Sequence, residues 1–227
     1  MKKGFVAITP NINFSLDYNG PEVDNYIDRL NDIIEIHNSV GIGVNWQKCF
    51  KYELDFLILR NTKLADDDYH VYPCFWGERL ENHPYLEEHL NGKVMIHCKN
   101  EKNMEPGPDW FHHGQHLTSN FLKEVFKKKS LQDKLWGKTG ASCHNEDDLR
   151  MACDLGLDYC LLSPIHHKLS KDHLISKGLG WEKFRNLVSK VKIPIYALGG
   201  MKLNDLETAQ ANGAAGIAGI SMFDQSS

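Results

Sequence analysis

Short apolar runs recur through the second half of the chain, and each is followed by a stretch with helical spacing. Residues 137–143 read as a strand. Asn145, Glu146, Asp147 and Asp148 then open a helix, since acids near a helix N-terminus complement its dipole. Leu149, Ala152, Cys153 and Leu155 form its apolar stripe, and Gly156 ends it. Residues 158–163 are the next strand, followed by a loop containing Pro164 and Lys171. A helix over 181–191 places Phe184, Leu187, Val188 and Val191 on one face. Residues 193–198 form a buried strand that stops at Gly199-Gly200. A helix over 203–211 starts with Asn204 and Asp205 and closes at Gly213, and 215–220 is the last strand.

The first half is less regular. Strands are expected at 5–9, 55–60, 93–98 and 109–113, which brings the total to eight. A helix over 22–40 carries Val23, Ile27, Leu30, Ile33 and Ile34 on one face. Residues 41–53 fit no single pattern, 71–76 read as a strand or a loop, and Pro106-Gly107-Pro108 is a turn. Strands that are apolar without alternation, interleaved with amphipathic helices, imply a parallel sheet covered by helices. A spacing of roughly 25–35 residues per β/α unit suits a (β/α)8 TIM barrel. With no internal repeat, low-complexity segment or linker, residues 1–227 are expected to form a single domain.

Composition narrows the function classes. A chain of 227 residues, 41% hydrophobic and 25% charged, has the make-up of a globular domain. The net charge of −4 lacks the basic excess of a nucleic-acid binder. No run reaches transmembrane length. The apolar start after Met1-Lys2-Lys3 stops at Pro10, too early for a secretory signal, so the expected location is cytoplasmic. The six cysteines form no CxxC pair and read as buried or partly buried thiols of a reducing compartment.

Three stretches resemble the thiamine phosphate synthase family, including its TenI-type branch. They are Ser142-Cys143-His144; Asp158-Tyr159-Cys160-Leu161-Leu162-Ser163-Pro164 with Ser170-Lys171 beyond; and Ala197-Leu198-Gly199-Gly200-Met201, followed by Asn212-Gly213 through Ser221. Leu59-Arg60 and the segment Asp109 to Gln115 are similar to upstream family motifs. The resemblance implies a β/α barrel acting in thiamin biosynthesis. The synthase joins a thiazole phosphate to a pyrimidine diphosphate and needs magnesium. The TenI-type relative moves a proton to aromatise a thiazole phosphate carboxylate and needs no metal.

Candidate chemistry follows from residue types and strand ends. Gly199, Gly200, Gly219, Ile220 and Ser221 lie where the closing loops of a barrel cradle phosphate, and a residue without Cβ lets backbone N–H groups approach the oxygens. The plain alternative for Gly199-Gly200 is a tight turn. His144 just past a strand end reads as a proton carrier or as a helix-capping histidine. Ser142 is a substrate donor or a cap. Arg60 is an anion clamp or half of a surface ion pair, and Ser170 and Lys171 are phosphate ligands or solvated loop residues. At the third strand, where the resemblance implies an Asn-Asp pair that holds magnesium, this chain has His97-Cys98-Lys99, and Leu117 stands at the second metal aspartate. Lys99 replaces some of that charge but not its geometry. His97, His112, His113 and His116 are either polar lining or a metal site of another kind. The favoured expectation is a TenI-like protein that binds a small phosphorylated substrate, requires no cofactor or metal, and uses His144. The alternatives are a divergent, magnesium-dependent synthase and a non-catalytic binding protein. No nucleic-acid or membrane partner is expected, and a homo-oligomer is left open.

Overall fold

The computed structural model describes residues 4–9, 21–35, 53–62, 72–80, 90–105, 113–166, 168–170 and 173–220. Its strands are β1 (Gly4–Ile8), β2 (Glu53–Leu59), β3 (Val94–Cys98), β4 (Gly114–Leu117), β5 (Lys138–Cys143), β6 (Tyr159–Leu162), β7 (Lys168–Ser170), β8 (His173–Ser176), β9 (Ile195–Leu198) and β10 (Gly216–Gly219). All but β7 and β8 close into one barrel in the order β1-β10-β9-β6-β5-β4-β3-β2, with parallel neighbours throughout. The expected eight-stranded parallel β/α barrel is present.

Alternation along the strands explains why the sequence shows continuous apolar runs: both faces are buried. One parity faces the helices, with Phe5, Leu57, Ile96, Leu117, Cys143 and Leu162 in the outer core. The other fills the barrel, where Val6, Ile8, Ile58, Met95, Tyr159, Leu161, Tyr196 and Ala218 pack together. Tyr159 crosses the interior and stacks on Phe56, ring centroids 4.5 Å apart and 17° between planes. Beneath it Tyr196 Oη donates to Asp55 Oδ2 at 2.9 Å. This aromatic layer blocks the barrel, so any ligand must sit above it, at the C-terminal ends of the strands.

Helices α1 (Pro21–Glu35), α2 (Tyr72–Leu80), α3 (Ser119–Lys127), α4 (Lys129–Gln132), α5 (Glu146–Asp154), α6 (Gly180–Val188) and α7 (Leu206–Ala211) belong to the connections between barrel strands. Asn145 caps α5 as its spacing implies, accepting from Asp148 N at 2.9 Å. Of the helix expected over 181–191, α6 covers the first part, and the one expected over 203–211 divides into a 3-10 turn, Leu203–Asp205, and α7. The helix expected over 22–40 is seen as α1, its last expected residues lying outside the described ones. So does nearly all of the ambiguous stretch 41–53.

Three expectations are corrected. Residues 72–80, which overlap the stretch 71–76 read as strand or loop, form a helix. Pro73 falls in its first turn, where a missing N–H costs nothing, and Tyr72 and Trp76, four apart, bury one face against Tyr26. The fourth barrel strand is Gly114–Leu117, beyond the expected 109–113, of which 109–112 lie outside the described residues. Its two neighbours already grip His113, whose N–H donates to Val94 O at 2.7 Å and whose carbonyl accepts from Lys138 N at 3.1 Å. The regular ladder on both sides then runs from Gly114 to Leu117. The loop read after Pro164 contains an antiparallel hairpin, β7 with β8, too short and too polar to show a strand pattern.

Candidate functional site

Above the aromatic layer lies a cavity of about 350 Å³ lined by Ile8, Ile58, Arg60, Thr62, His97, His116, Thr118, Ser119, Ser142, His144, Leu161, Ser163, Leu198 and Ile220. Its apolar floor is the upper part of the barrel core, and its polar wall comes from the ends of β2 to β6. Of the residues expected from sequence, Arg60, Ser142, His144 and Ile220 meet here. Gly199 follows Leu198 and Gly219 precedes Ile220, so the closing loops border the cavity, but neither these glycines nor Gly200 are among its lining residues. Lys99 is half-buried just past β3, outside the lining, with its N–H donating to Asn103 Oδ1 at 3.3 Å. Lys171 and Ser221 lie outside the described residues, and of Ser170 only its place in β7 is described.

His144 is tied down on both sides. Its backbone N–H donates to Asp148 Oδ2 at 2.9 Å, which fixes the turn from β5 into α5. Its Nδ1 lies 2.9 Å from the Ser163 carbonyl and 3.3 Å from Ser163 Oγ. A carbonyl only accepts, so Nδ1 carries a hydrogen, and it is Nε2 that in the neutral ring holds the lone pair a general base requires. This refines the capping alternative: Asn145 supplies the cap, and the imidazole of His144 lines the cavity. Asp148 is fully buried and also faces Lys123 Nζ at 3.4 Å. Asp148→Ala should lower stability by about 1–3 kcal/mol, since it removes the buried carboxylate that accepts from the His144 N–H. Chemical denaturation measures that loss.

Arg60 is held at the end of β2 by its main chain: its N–H donates to Thr9 Oγ1 at 2.7 Å, and its carbonyl accepts from the same hydroxyl at 2.9 Å. Its charge reaches the barrel. Burial, helped by the positive charges of Arg60 and Lys99, pushes the His97 imidazole down to about 3. Burial first, then His97 and Arg60, holds His116 well below the ordinary range. Both imidazoles are therefore neutral at physiological pH. The sign for stability follows directly. The unfolded chain binds protons on these two residues below about pH 6.5 while the folded protein does not, so stability is intact above that pH and falls as pH drops from 6.5 toward 3. We expect a loss of up to ~1.4 kcal/mol per pH unit for each histidine. Urea midpoints between pH 8 and about 5 check it, and His97→Phe should flatten the slope.

The histidine group seen in the sequence divides. His97 and His116 stack in the cavity wall with ring centroids 6.2 Å apart. His113 lies at the opposite end of its strand, where its Nε2 accepts from Gly92 N at 3.2 Å, and His112 is outside the described residues. Among the described residues no group of His, Cys, Asp and Glu is arranged to hold a metal. The cysteines fit the thiol reading: Cys98, Cys143 and Cys160 are buried and unpaired as disulfides, and Cys153 is half-buried. No helix among the described residues is long and apolar enough to cross a membrane.

Sequence reasoning passed over Ser163, Thr118, Ser119 and the role of His116. Strand parity was the available signal. Tyr159, Leu161 and Ser163 alternate inward, as do Ser142 and His144 on the neighbouring strand.

A closed parallel barrel with a cavity at the C-terminal ends of its strands, lined by a guanidinium, imidazoles and hydroxyls, defines the class of the protein: a β/α barrel with a cavity of small-molecule size. Residues 112–223 match the profile of the family described as thiamine monophosphate synthase. Over that segment the chain is similar to the family. It is 37% identical over 87 residues to the thiamine-phosphate synthase of Pediococcus pentosaceus, covering 38% of this chain and 40% of that one. It is 30% identical over 140 residues to the thiamine-phosphate synthase of Lactococcus lactis subsp. cremoris, covering 62% of this chain and 61% of that one. The chain thus spans about half the length of the curated relatives it matches. In three dimensions it is similar to the thiamine phosphate pyrophosphorylase of Pyrococcus furiosus, with a TM-score of 0.58 at 18% identity over 99% of this chain and 89% of the other. At that identity the likeness is one of fold.

Proposed function

We propose that the chain is a TenI-like protein that binds a thiazole phosphate at the C-terminal face of the barrel and shifts a proton on its ring. The observation carrying this reading is His144: an imidazole anchored at Nδ1 on the Ser163 carbonyl, with Nε2 available in a cavity that also holds Arg60 and Ser142. In the reaction His144 Nε2 takes a proton from one ring carbon, the electron pair enters the ring system, and the same proton returns at another position. No oxidant and no leaving group are required. The phosphate is assigned to the loops after β9 and β10, on Gly199, Gly200, Gly219, Ile220 and Ser221, where amides without an intervening Cβ suit an oxyanion.

The names of the relatives favour a second reading, a synthase joining a pyrimidine diphosphate to a thiazole phosphate, with Arg60, Lys99, Ser142, Ser170 and Lys171 on the diphosphate. That chemistry implies magnesium, which takes oxygen ligands in octahedral geometry. The described lining offers imidazoles, hydroxyls and a guanidinium, and no carboxylate. Cys98 turns outward onto the Asn103 carbonyl at 2.9 Å, and Leu117 is part of the outer core. The donor set does not fit magnesium, and no step is routed through it. Two assays with the purified chain separate the readings: proton transfer on a thiazole phosphate carboxylate without metal, and condensation with a pyrimidine diphosphate with magnesium present. Turnover in the first alone supports the proposal. Turnover in the second overturns it, and saturable thiazole phosphate binding with no turnover in either points to a binding protein that lacks the reaction.

The glycine turn also bears on how the phosphate is tested. Gly199 and Gly200 have φ of 105° and 72°, and a Cβ on Gly199 would lie 2.8 Å from Pro164 Cα. A bulky residue there displaces the Pro164 segment before it meets any ligand, so the phosphate assignment is better read by isotope-edited shifts of the Gly199 and Gly200 amides on adding inorganic phosphate.

A further inference from the structure

We propose that Tyr159, His116 and Ser142 form a one-way hydrogen-bond relay in which His116 is a positioning residue, holding Ser142 as a donor to an anionic oxygen of the ligand. The proposal rests on the cavity being the ligand site described above and adds to it the polarity of its floor. Tyr159 Oη is 3.1 Å from His116 Nδ1, and His116 Nε2 is 2.9 Å from Ser142 Oγ. The phenol sits in the middle of the barrel between Phe56, His116 and Tyr196. Burial keeps it protonated. A buried O–H calls for an acceptor, and the acceptor in reach is His116 Nδ1.

The rest follows from the valence of imidazole. If Nδ1 accepts, a neutral ring carries its hydrogen on Nε2 and donates it to Ser142 Oγ. Ser142 then receives one hydrogen bond from below, and its own hydrogen is directed toward the cavity it lines. The opposite arrangement, with His116 donating to Tyr159, would leave the phenol hydrogen buried without an acceptor. A charged His116 would break the relay as well, because both nitrogens would donate. Burial of the ring and the nearby Arg60 charge oppose that state. His97 adds a second polar group to the same wall, its Nδ1 buried with no hydrogen-bond partner among the described residues. The floor thus favours a ligand that brings an oxygen acceptor, a phosphate or carboxylate, over one that brings a donor.

The test has two arms. Nitrogen-15 NMR of the ligand-free protein should show His116 as the neutral Nε2–H tautomer, unchanged between about pH 5.5 and 8. Titration with a thiazole phosphate carboxylate, whose carboxylate is free to meet Ser142 while its phosphate occupies the glycine loops, should show binding weakened about tenfold or more in Ser142→Ala and in His116→Phe, the size expected for one hydrogen bond to a charged group. The double variant should be no weaker than Ser142→Ala alone, since His116 acts through Ser142. Tyr159→Phe keeps Ser142 and His116 in place and should yield a mixture of His116 tautomers, a readout that mere loss of packing does not produce. An Nδ1–H tautomer, an imidazolium, or additive losses in the double variant overturn the relay. Wild-type protein that ignores the thiazole phosphate carboxylate overturns the cavity assignment itself, and with it the ligand of Ser142, whatever the tautomer.

Discussion

His144→Ala is expected to slow proton transfer on the thiazole ring by about 10²–10⁴-fold, the usual contribution of a positioned acid–base group. Inorganic phosphate binding should stay within about twofold of wild type, because the phosphate is assigned to loops on other strands. The split between the two measurements carries the argument. His144 reaches the cavity through its side chain, while the turn that holds it depends on its backbone N–H and Asp148 Oδ2, which an alanine retains. A structural role would therefore show as lost stability with both activities falling together, and a catalytic role as lost turnover with stability and phosphate binding kept. His144→Gln tests the same point from another direction, since an amide of similar reach cannot carry a proton near neutral pH. Full turnover in either variant would remove His144 from the chemistry and leave the cavity without a described base, because His97 and His116 are neutral and held as weak bases by burial.

Much of this arrangement was legible before the structure, for reasons that differ along the chain. The last four barrel strands were readable because each is an apolar run closed by glycine, proline or an acidic cap, and the barrel buries both of their faces. His144 and Ser142 were readable because a strand end at the C-terminal face of a barrel is where side chains meet ligand. The misread parts carry conflicting local signals. Tyr72 and Trp76 are one helical turn apart, but only two buried aromatics mark that face, and Pro73 masks the helix start. The fourth strand hides behind Trp110 and Phe111, while its own residues, Gly114, Gln115, His116 and Leu117, look like a polar loop. Gln115 is buried because its amide is used, donating to Met104 O at 2.9 Å. Its neighbour His116 is buried because Tyr159 and Ser142 occupy both ring nitrogens. Such satisfaction is a property of three strands at once, and no window along a single strand contains it.

The same dependence makes Gly140 a sensitive point of the barrel interior. Gly140 sits on β5 opposite Tyr159 on β6, and a Cβ built there would run into the Tyr159 ring rather than its flexible edge. The ring cannot swing away easily, since Phe56 stacks on one face at 4.5 Å and Tyr196 meets it edge-on at 6.2 Å. Gly140→Ala is therefore expected to destabilise the protein by about 3 kcal/mol, at the upper end for overpacking a filled core. A change of one methyl at an exposed strand position would be nearly silent. The displaced ring also moves its hydroxyl away from His116 Nδ1, so the variant should disturb the His116 tautomer and weaken binding of a thiazole phosphate carboxylate in the fraction that still folds. Urea denaturation gives the first number, and the His116 nitrogen signals give the second. If the alanine variant were as stable as wild type, the aromatic layer would be looser than its stacking distances imply, and the floor of the cavity would have to be drawn lower in the barrel.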